Sequence, residues 1–585
     1  MQVMEAKRPI PGEMKKRMQE KLVSIYGEEK GREVYPRLEE LLQKFEGSPF
    51  QKQGKTWVDE SDVMLITYGD QIQEDGKPYL KSLHEFLNSY LYGVISAVHI
   101  LPFYPYSSDD GFSVIDYFQV NPELGEWNHV EDLAEDFEIM FDAVINHISQ
   151  KSGWFQKYLE GDETYRDFFI EADPEADYTT VTRPRALPLL TEFDTAHGKK
   201  YIWTTFSEDQ IDLNYENEDV LLTIIELLLF YVEKGAKFLR LDAIGYMWKR
   251  LGTSCIHLEE AHKIIQLCRD VFETVAPETI MITETNVPHK DNISYFGDGH
   301  NEAQMVYQFP LPPLTLHSFH TGDASYLTNW ADSLEKISDE TTYFNFLASH
   351  DGIGVMPAKG ILSDEQVNAM AEKVREHGGN VSMKDNGDGT QSPYELNINY
   401  FEALSHPEDA QKLKVKRFLA SQSILLSLIG MPGIYVHSLL GSDNYHEGVK
   451  QTGRFRTINR EKLDRSSLEK ELDTAGTQRH EVFNSYKQMI QLRRQEKAFD
   501  PNGEQDVLFL NDHVFAVKRT SKDSKEEIAA VVNVSNETQT IALKQEVWNN
   551  NYSQLQDLIS KQEWPGAEDL TISLQPYTFV WVKGS

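Results

Sequence analysis

The chain has 585 residues, of which 40% are hydrophobic, 26% charged and 11% aromatic, and its formal net charge is −36. This is the composition of a folded protein larger than one average domain, not of a disordered chain. The negative charge argues against nucleic acid and anionic membrane surfaces as partners. With only Cys255 and Cys268, a disulfide framework or a cysteine zinc site is not expected.

No apolar run approaches the 18 or so residues needed to span a bilayer, and the first 21 residues lack the apolar core of a secretory signal. We therefore expect a cytoplasmic protein that does not act at a membrane. The sequence leaves open whether it forms a homo-oligomer.

The predicted elements begin with a helical N-terminal extension over residues 1–55, where apolar side chains recur about every 3.6 positions. Strand-like and helix-like stretches then alternate. Helices are predicted over 80–91, 130–136, 217–234, 258–275, 324–337 and 413–429. Strands are predicted near residues 62, 94, 138, 237, 279, 304, 343 and 433. Eight strand–helix units predict a (β/α)8 TIM barrel, in the α/β class.

Two polar, irregular segments interrupt this alternation, at 148–216 and 352–412, and leave 56–147, 217–351 and 413–497 for the barrel. Residues 498–585 contain apolar strand-like runs separated by turns, without long helices, which predicts a C-terminal antiparallel β domain. The barrel should therefore carry one insertion after its third strand and another after its seventh.

Polar side chains follow the apolar strands at the positions where a barrel exposes its active site. The third strand runs into Asp142, Asn146 and His147, and the fourth contains Arg240 and Asp242, two residues apart and therefore on one side of the strand. The fifth ends at Glu284 and Asn286, and the seventh at His350 and Asp351.

One carboxylate at a strand end usually caps the next helix. Three carboxylates that end three strands of one barrel are better explained by chemistry on a sugar. Glycosidic bonds are broken by a pair of carboxyl groups in different protonation states.

These motifs, "DAVINH", "FLRLDA", "ITE" and "ASHD", resemble in order the four conserved regions of the α-amylase superfamily, glycoside hydrolase family 13, and "QIDLNY" resembles its additional short region. The resemblance implies a (β/α)8 barrel, an inserted domain B and a C-terminal β domain. "VHILPFYPYSSDDGFSVIDY", "RPRALPLL" and "FPLPPLTLHSF" are similar to the sucrose-phosphorylase subfamily. That subfamily implies a retaining phosphorylase, which forms α-glucose 1-phosphate.

Carried over by motif, Asp242 is the expected nucleophile, Glu284 the acid/base and Asp351 the stabiliser of the transition state. The expected glucose-binding residues are Asp109, Phe112, His147, Phe206, Gln210, Arg240, Tyr246, His350 and Arg456. The expected phosphate- and acceptor-binding residues are Arg185, Tyr394, Glu395 and Asn286, and His289 and Lys290 are weaker candidates for an acceptor carboxylate. No cofactor and no metal ion is expected.

Two stretches differ from sucrose phosphorylases, whose acid/base strand continues Glu-Val-His where this chain has Glu284-Thr285-Asn286. The loop "SPYE" also lacks the residues that contact fructose. "ITETNVPHKDNISYFG" and "TTFSEDQIDLNY" are instead very similar to the glucosylglycerate phosphorylase branch. This resemblance implies D-glycerate as the acceptor, while sucrose, sucrose 6′-phosphate and glucosylglycerol remain alternative substrates, and a hydrolytic α-glucosidase or a non-catalytic sugar-binding relative is less favoured.

Overall fold

The central feature of the structure is a closed barrel of eight parallel strands, which we number β1 to β8 in chain order. The structure is a computed structural model and describes residues 10–45, 55–185, 187–386, 389–566 and 569–585. The strands are Met64–Thr67, Ala97–Ile100, Glu138–Ala143, Ala236–Asp242, Ile280–Glu284, Met305–Tyr307, Thr342–Asn345 and Met431–Tyr435. The barrel closes where Met64 of β1 pairs with Gly433 of β8. The predicted (β/α)8 fold and all eight strand positions are confirmed.

The register of the barrel brings the charged residues of neighbouring strands together. Asp142 of β3 lies beside Arg240 of β4, and Asp242 of β4 lies beside Glu284 of β5. Parallel strands are covered on both faces and are therefore apolar along most of their length. The charges in β4 stand out for this reason, and the register turns them into one cluster.

Most of the principal helices around the barrel lie close to their predicted positions, but Gln478–Arg493 was not predicted. The principal helices are Tyr79–Tyr90, Trp127–Asp136, Glu218–Glu233, Glu259–Val275, Leu311–Thr321, Ser325–Asp332, Gln411–Ser427 and Gln478–Arg493. The helix predicted over 324–337 was too long, since it ends at Asp332. Leu311–Thr321 was not predicted, although its two prolines occupy the first turn, where a missing backbone N–H costs nothing. No helix in the described part of the chain is long and apolar enough to cross a membrane.

The insertion after β3 begins earlier than the sequence suggested. The strand predicted over 138–147 ends at Ala143, and His147–Ser149 instead pairs with Gln210–Asp212. Between them lie the helix Gly153–Glu160 and a hairpin of Leu190–Thr195 with Gly198–Trp203. The antiparallel pair at the base joins the insertion to the barrel mouth.

The insertion after β7 contains a three-stranded antiparallel sheet of Ile353–Gly354, Gln391–Asn397 and Asn380–Asp385. Its helix, Asp364–Glu376, begins with a capping box in which Ser363 and Gln366 bond to each other's backbone N–H groups. Part of the predicted polar stretch "KDNGDGTQSP" lies outside the described residues. The sheet brings Tyr394 and Glu395 towards the barrel mouth.

The C-terminal region is an antiparallel β domain, as predicted. Its strands are Glu504–Val507, Val514–Thr520, Glu527–Asn533, Gln539–Leu543, Gln554–Asp557, Glu563–Pro565, Leu570–Leu574 and Phe579–Gly584. The buried Trp581 ring donates its indole N–H to Ser423 Oγ at 2.8 Å. The domain thus packs on the barrel helix Gln411–Ser427, and one continuous apolar core joins it to the barrel.

The N-terminal extension forms two helices, Gly12–Tyr26 and Glu28–Phe45, and its remaining predicted residues, 1–9 and 46–54, lie outside the described residues. The first helix packs on the barrel helix Glu259–Val275. Asp270 of that helix is fully buried and forms ion pairs with Arg17, whose Nη2 lies at 2.5 Å, and with the Lys21 ammonium. Two cations of the extension are therefore tied to one carboxylate of the barrel.

We predict that Asp270→Ala loosens the N-terminal helix. The change leaves Lys21 and Arg17 without their buried partner, and the local free energy of opening of Gly12–Tyr26 should fall by about 2 kcal/mol. Native-state hydrogen exchange measures this opening directly.

Glu20→Ala is the matched control, because the Lys16–Glu20 pair of the same helix is exposed. Exposed ion pairs contribute about 0–1 kcal/mol, so this variant should exchange like the wild type. Equal protection in all three proteins would contradict the role given to Asp270.

Candidate active site

The three carboxylates selected from the sequence surround one cavity at the C-terminal end of the barrel. Asp242 and Glu284 are the last residues of β4 and β5, and Asp351 follows β7. The other predicted residues that line this cavity are Asp109, Phe112, His147, Arg185, Phe206, Gln210, Tyr246, Asn286, His350, Tyr394 and Arg456. Fourteen of the sixteen predicted site residues therefore share it, and Arg240 and Glu395 lie outside its walls.

Arg240 lies beneath the cavity floor and is almost completely buried. Its Nη1 contacts both Asp142 and Asp242, the latter at 2.9 Å. Asp142 also accepts His99 Nε2 at 2.6 Å. A guanidinium can be buried only when its charge is balanced. Here Asp142 balances the charge of Arg240. Asp242 therefore contacts Arg240 on one side and still lines the cavity.

The protonation of Asp242 and Glu284 follows from burial and from their distances to Arg240. Burial raises the pKa of both carboxyls; Glu284 raises the pKa of Asp242 further, and Asp351 raises that of Glu284 further. Arg240 opposes these effects, at 2.9 Å from Asp242 but at 3.8 Å from Glu284. Arg240 thus favours the ionised form of both carboxyls, and its contact with Asp242 is the shorter of the two.

The backbone after Asp242 contributes to this arrangement. Ala243 has a φ of 51°, in the left-handed region that side chains with a Cβ seldom adopt. This turn points its N–H towards Glu284 Oε2, at 3.4 Å. The strained backbone of Ala243 thus helps to orient the Glu284 carboxyl group.

Asp351 is held by two arginines from one segment. Arg456 Nη1 lies 2.5 Å and Arg460 Nη2 3.6 Å from its Oδ1. Burial would raise the pKa of Asp351, but these guanidinium groups and His350 outweigh it and lower that pKa. Arg456 also forms a fork with Glu395, at 3.0 and 2.6 Å. Asp351 is therefore a permanent carboxylate.

The residues predicted to bind glucose meet around the loop "SDDGF". His147 Nε2 and Gln210 Nε2 lie 2.9 and 3.1 Å from the Phe112 carbonyl oxygen. Asp109 accepts Arg185 Nη2 at 3.1 Å and Gln210 Nε2 at 3.4 Å. Burial raises the pKa of Asp109, but Arg185, Arg456 and Arg460 outweigh it and lower the pKa to about 2.

This loop has a strained backbone. Asp109, Asp110 and Gly111 have φ values of 55°, 48° and 109°. A Cβ on Gly111 would come within 2.6 Å of the Pro102 carbonyl oxygen, so the position requires glycine. Three successive residues with positive φ turn the Asp109 carboxylate into the cavity, where it meets Arg185 and Gln210.

Aromatic rings form the walls of the cavity. Phe112 stacks on His350 with ring centroids 4.8 Å apart and planes 7° apart. On the other side, Phe206 contacts both His147 and Tyr246, each at a centroid distance of 5.3 Å. Such surfaces suit the C–H faces of a pyranose ring, while the carboxylates suit its hydroxyl groups.

The predicted phosphate and acceptor residues are placed less uniformly. Arg185, Tyr394 and Asn286 line the cavity, and the Asn286 side-chain oxygen is buried without a hydrogen bond to any described residue. Glu395 does not fit the predicted acceptor contact, because Arg456 binds its carboxylate and only 3% of the residue is exposed. His289 and Lys290 are not among the described residues that line the cavity.

A buried lysine fastens the insertion after β3 to the barrel. Lys249 Nζ lies 2.5 Å from Asp212 and 3.2 Å from the Asn146 side-chain oxygen. Asp212 also accepts the backbone N–H of Thr205 at 2.7 Å.

Within the described residues, no group of three or more His, Cys, Asp or Glu side chains is arranged to hold a metal ion.

Two supporting residues were missed by reasoning from the sequence. His99 is a lone polar residue in the buried strand "AVHI", the same signal that drew attention to Arg240. Arg460 follows Arg456 by four positions, and its Nε donates to the His350 carbonyl oxygen at 2.7 Å. A search for every polar side chain in an apolar strand would have found His99, whereas nothing local distinguishes Arg460.

Comparisons with known proteins agree with this geometry. Residues 86–370 match the model of the α-amylase catalytic domain. The chain is 52% identical to a glucosylglycerate phosphorylase of Spirochaeta thermophila over 89% of both chains. It is 47% identical to one of Allomeiothermus silvanus over 97% of this chain and 99% of that one.

Among solved structures, a sucrose 6F-phosphate phosphorylase from Thermoanaerobacter thermosaccharolyticum superposes with a TM-score of 0.72 at 24% identity, over 88% of this chain and 98% of that one. This similarity supports the fold, and the sequence identities decide the family. The chain belongs to the glucosylglycerate phosphorylase family, within the α-amylase superfamily.

Proposed function

We propose that the protein is a retaining glycoside phosphorylase, a hexosyltransferase that interconverts 2-O-α-D-glucosyl-D-glycerate plus phosphate with α-D-glucose 1-phosphate plus D-glycerate. The observation that carries the proposal is the 52% identity, over 89% of both chains, to a protein with this name. The site geometry supports the chemistry. A cytoplasmic location stays a prediction.

The first half of the reaction uses the two carboxyl groups that β4 and β5 place side by side. Asp242, ionised beside Arg240, attacks the anomeric carbon, and Glu284 gives its proton to the departing glycerate oxygen. A direct attack requires carboxyl groups about 5 Å apart, the separation typical of retaining enzymes. Neighbouring positions on parallel strands, about 4.8 Å apart, agree with this requirement.

The glucosyl unit in the proposed β-glucosyl-enzyme fits the remaining groups. Asp351 and Asp109 are carboxylates able to accept hydrogen bonds from sugar hydroxyls, and both are kept ionised by arginines. An ionised Asp351 also stabilises positive charge as it develops on the sugar ring. Phe112 and Phe206 border the ring on either side.

The second half of the reaction requires an anion at the face that glycerate has left. Arg185 and Tyr394 line the cavity and offer a guanidinium and a phenol for this anion. Burial raises the pKa of Tyr394 to about 12, so the hydroxyl remains a hydrogen-bond donor at neutral pH. Phosphate is already anionic and needs positioning more than a strong base. The same groups, with Asn286, suit the carboxylate of glycerate.

The acceptor assignment predicts a clear preference among small acceptors. With α-glucose 1-phosphate as donor, phosphate release should be fastest with D-glycerate and at least about tenfold slower with glycerol, fructose or fructose 6-phosphate, because the site offers Arg185 and Asn286 to a carboxylate. Colorimetric phosphate release measures all four in parallel. Faster release with another acceptor would refute glycerate specificity while leaving the phosphorylase assignment intact.

The two carboxyl roles predict different responses to the leaving group. Asp242→Asn should lose turnover of every donor by at least about a thousandfold, because no nucleophile remains. Glu284→Gln should lose glucosylglycerate phosphorolysis by about a hundred- to ten-thousandfold. The same variant should keep phosphate-dependent cleavage of α-glucosyl fluoride within about tenfold, since fluoride leaves without a proton. Equal losses with both donors would contradict the acid role.

The charge of Arg240 should affect how kcat/KM depends on pH, and the direction of the effect can be predicted. Its charge lowers the pKa of Asp242, which must be ionised to attack, so Arg240→Gln should raise that pKa. The acidic limb of the profile of kcat/KM against pH should then move to higher pH. Arg240→Lys is the control, because it keeps a charge at the same place, and a limb that stays in position in Arg240→Gln would oppose this role.

A further inference from the structure

A second cavity of about 470 Å³ opens outside the active-site cavity and shares five of its lining residues. The shared residues are Asp109, Pro184, Arg185, Tyr394 and Arg456. Its outer wall comes from the sheet of the insertion after β7 and from the segment after β8. We call this second cavity the vestibule, and a substrate that enters from this side passes through it.

The vestibule and the active-site cavity differ in the sign of their charge. The titratable groups of the inner cavity include four carboxyls, Asp109, Asp242, Glu284 and Asp351, against two arginines. The cations of the vestibule are Arg185, Lys384, Arg454, Arg456 and Arg460, against the carboxylates Asp109 and Glu395. The chain as a whole has 93 acidic and 57 basic residues, so the net positive charge of the vestibule is opposite in sign to that of the protein.

Two of these cations have no role in the catalytic arrangement. Arg185, Arg456 and Arg460 each pair with a carboxylate of the site. Lys384, in the strand Asn380–Asp385, and Arg454, just before the helical turn Phe455–Asn459, make no ion pair with any residue that the structure describes. Their charges are therefore available to a ligand in the vestibule.

We propose that Lys384 and Arg454 form an anion-binding subsite that receives the anionic substrates of this reaction before they reach Arg185. The inference rests on the proposed function, and it adds two specificity-determining residues to it. The chemistry they recognise is a small oxyanion, which phosphate and the carboxylate of glycerate share.

The physical reason for such a subsite lies in the chain's own charge. The chain's net charge of −36 and the four carboxyls of the inner cavity oppose the entry of an anion, and screening removes this repulsion only beyond about 8 Å at physiological salt. Lys384 and Arg454 at the entrance oppose this local field and raise the local concentration of anions. A neutral substrate gains nothing from them.

Lys384→Met and Arg454→Gln test the subsite, because both changes remove a charge and keep much of the side-chain length. Each should raise the KM for phosphate and the KM for D-glycerate about three- to fivefold, since exposed ion pairs are weak, and the double variant about tenfold. The kcat should stay within about twofold of the wild type. Added NaCl should raise the wild-type KM for phosphate more than that of the double variant.

Three comparisons separate the possible causes. Hydrolysis of α-glucosyl fluoride in buffer without phosphate needs no anionic substrate and should be unchanged in the variants. The KM for glycerol as acceptor should also stay constant. Lys544→Met, an exposed change in the C-terminal domain that lines neither cavity, is the matched control and should leave every constant unchanged.

A rise confined to phosphate or to glycerate would support the subsite for that anion alone. Unchanged KM values for both anions at low salt, or an equal loss with α-glucosyl fluoride, would overturn it. Failure of the proposed function looks different, because the wild type itself would then release no phosphate with glycerate.

Discussion

The contact on which the site depends is the burial of Arg240 between Asp142 and Asp242. A guanidinium beneath a barrel mouth is unfavourable unless carboxylates compensate it. Asp142, which is hydrogen-bonded to His99, is one of these carboxylates, so Asp242 does not have to balance the charge of Arg240 alone. Asp242 thus contacts the guanidinium and still lines the cavity. The same guanidinium is farther from Glu284, so two otherwise similar carboxyl groups differ in their distance to one positive charge.

Charge is sorted by depth along one path. The floor holds carboxyls balanced by a buried arginine, and the middle holds Asp351 and Asp109 bound to arginines of surrounding segments. The entrance carries two cations that form no ion pair with the residues that the structure describes. A sugar with many hydroxyl donors meets acceptors at the bottom, whereas an anion meets cations on its way in. The arrangement suits a reaction that joins a neutral glucosyl group to an anionic partner.

The sequence allowed the barrel and its chemistry to be predicted because both depend on local patterns. The eight strands are short apolar runs, and Arg240 and Asp242 stand out within one of them. What it did not predict depends on distant residues meeting. Arg460 donates to the His350 carbonyl oxygen, 110 positions away in the chain. Glu395 was predicted to bind the acceptor, but in the structure its carboxylate is bound by Arg456. The helix predicted over 324–337 ends earlier, at Asp332, and the proline-initiated helix Leu311–Thr321 was not predicted, because capping and packing set where helices form and end.

Lys249 holds the insertion after β3 against the barrel through a buried ammonium group. Its ammonium group lies among oxygens of Asp212 and Asn146, at the joint between the insertion and the barrel. A cation that is part of the chain cannot be diluted, exchanged or removed by a chelator. At the joint below the loop wall that carries Phe206 and Gln210, the positive charge is therefore part of the polypeptide itself.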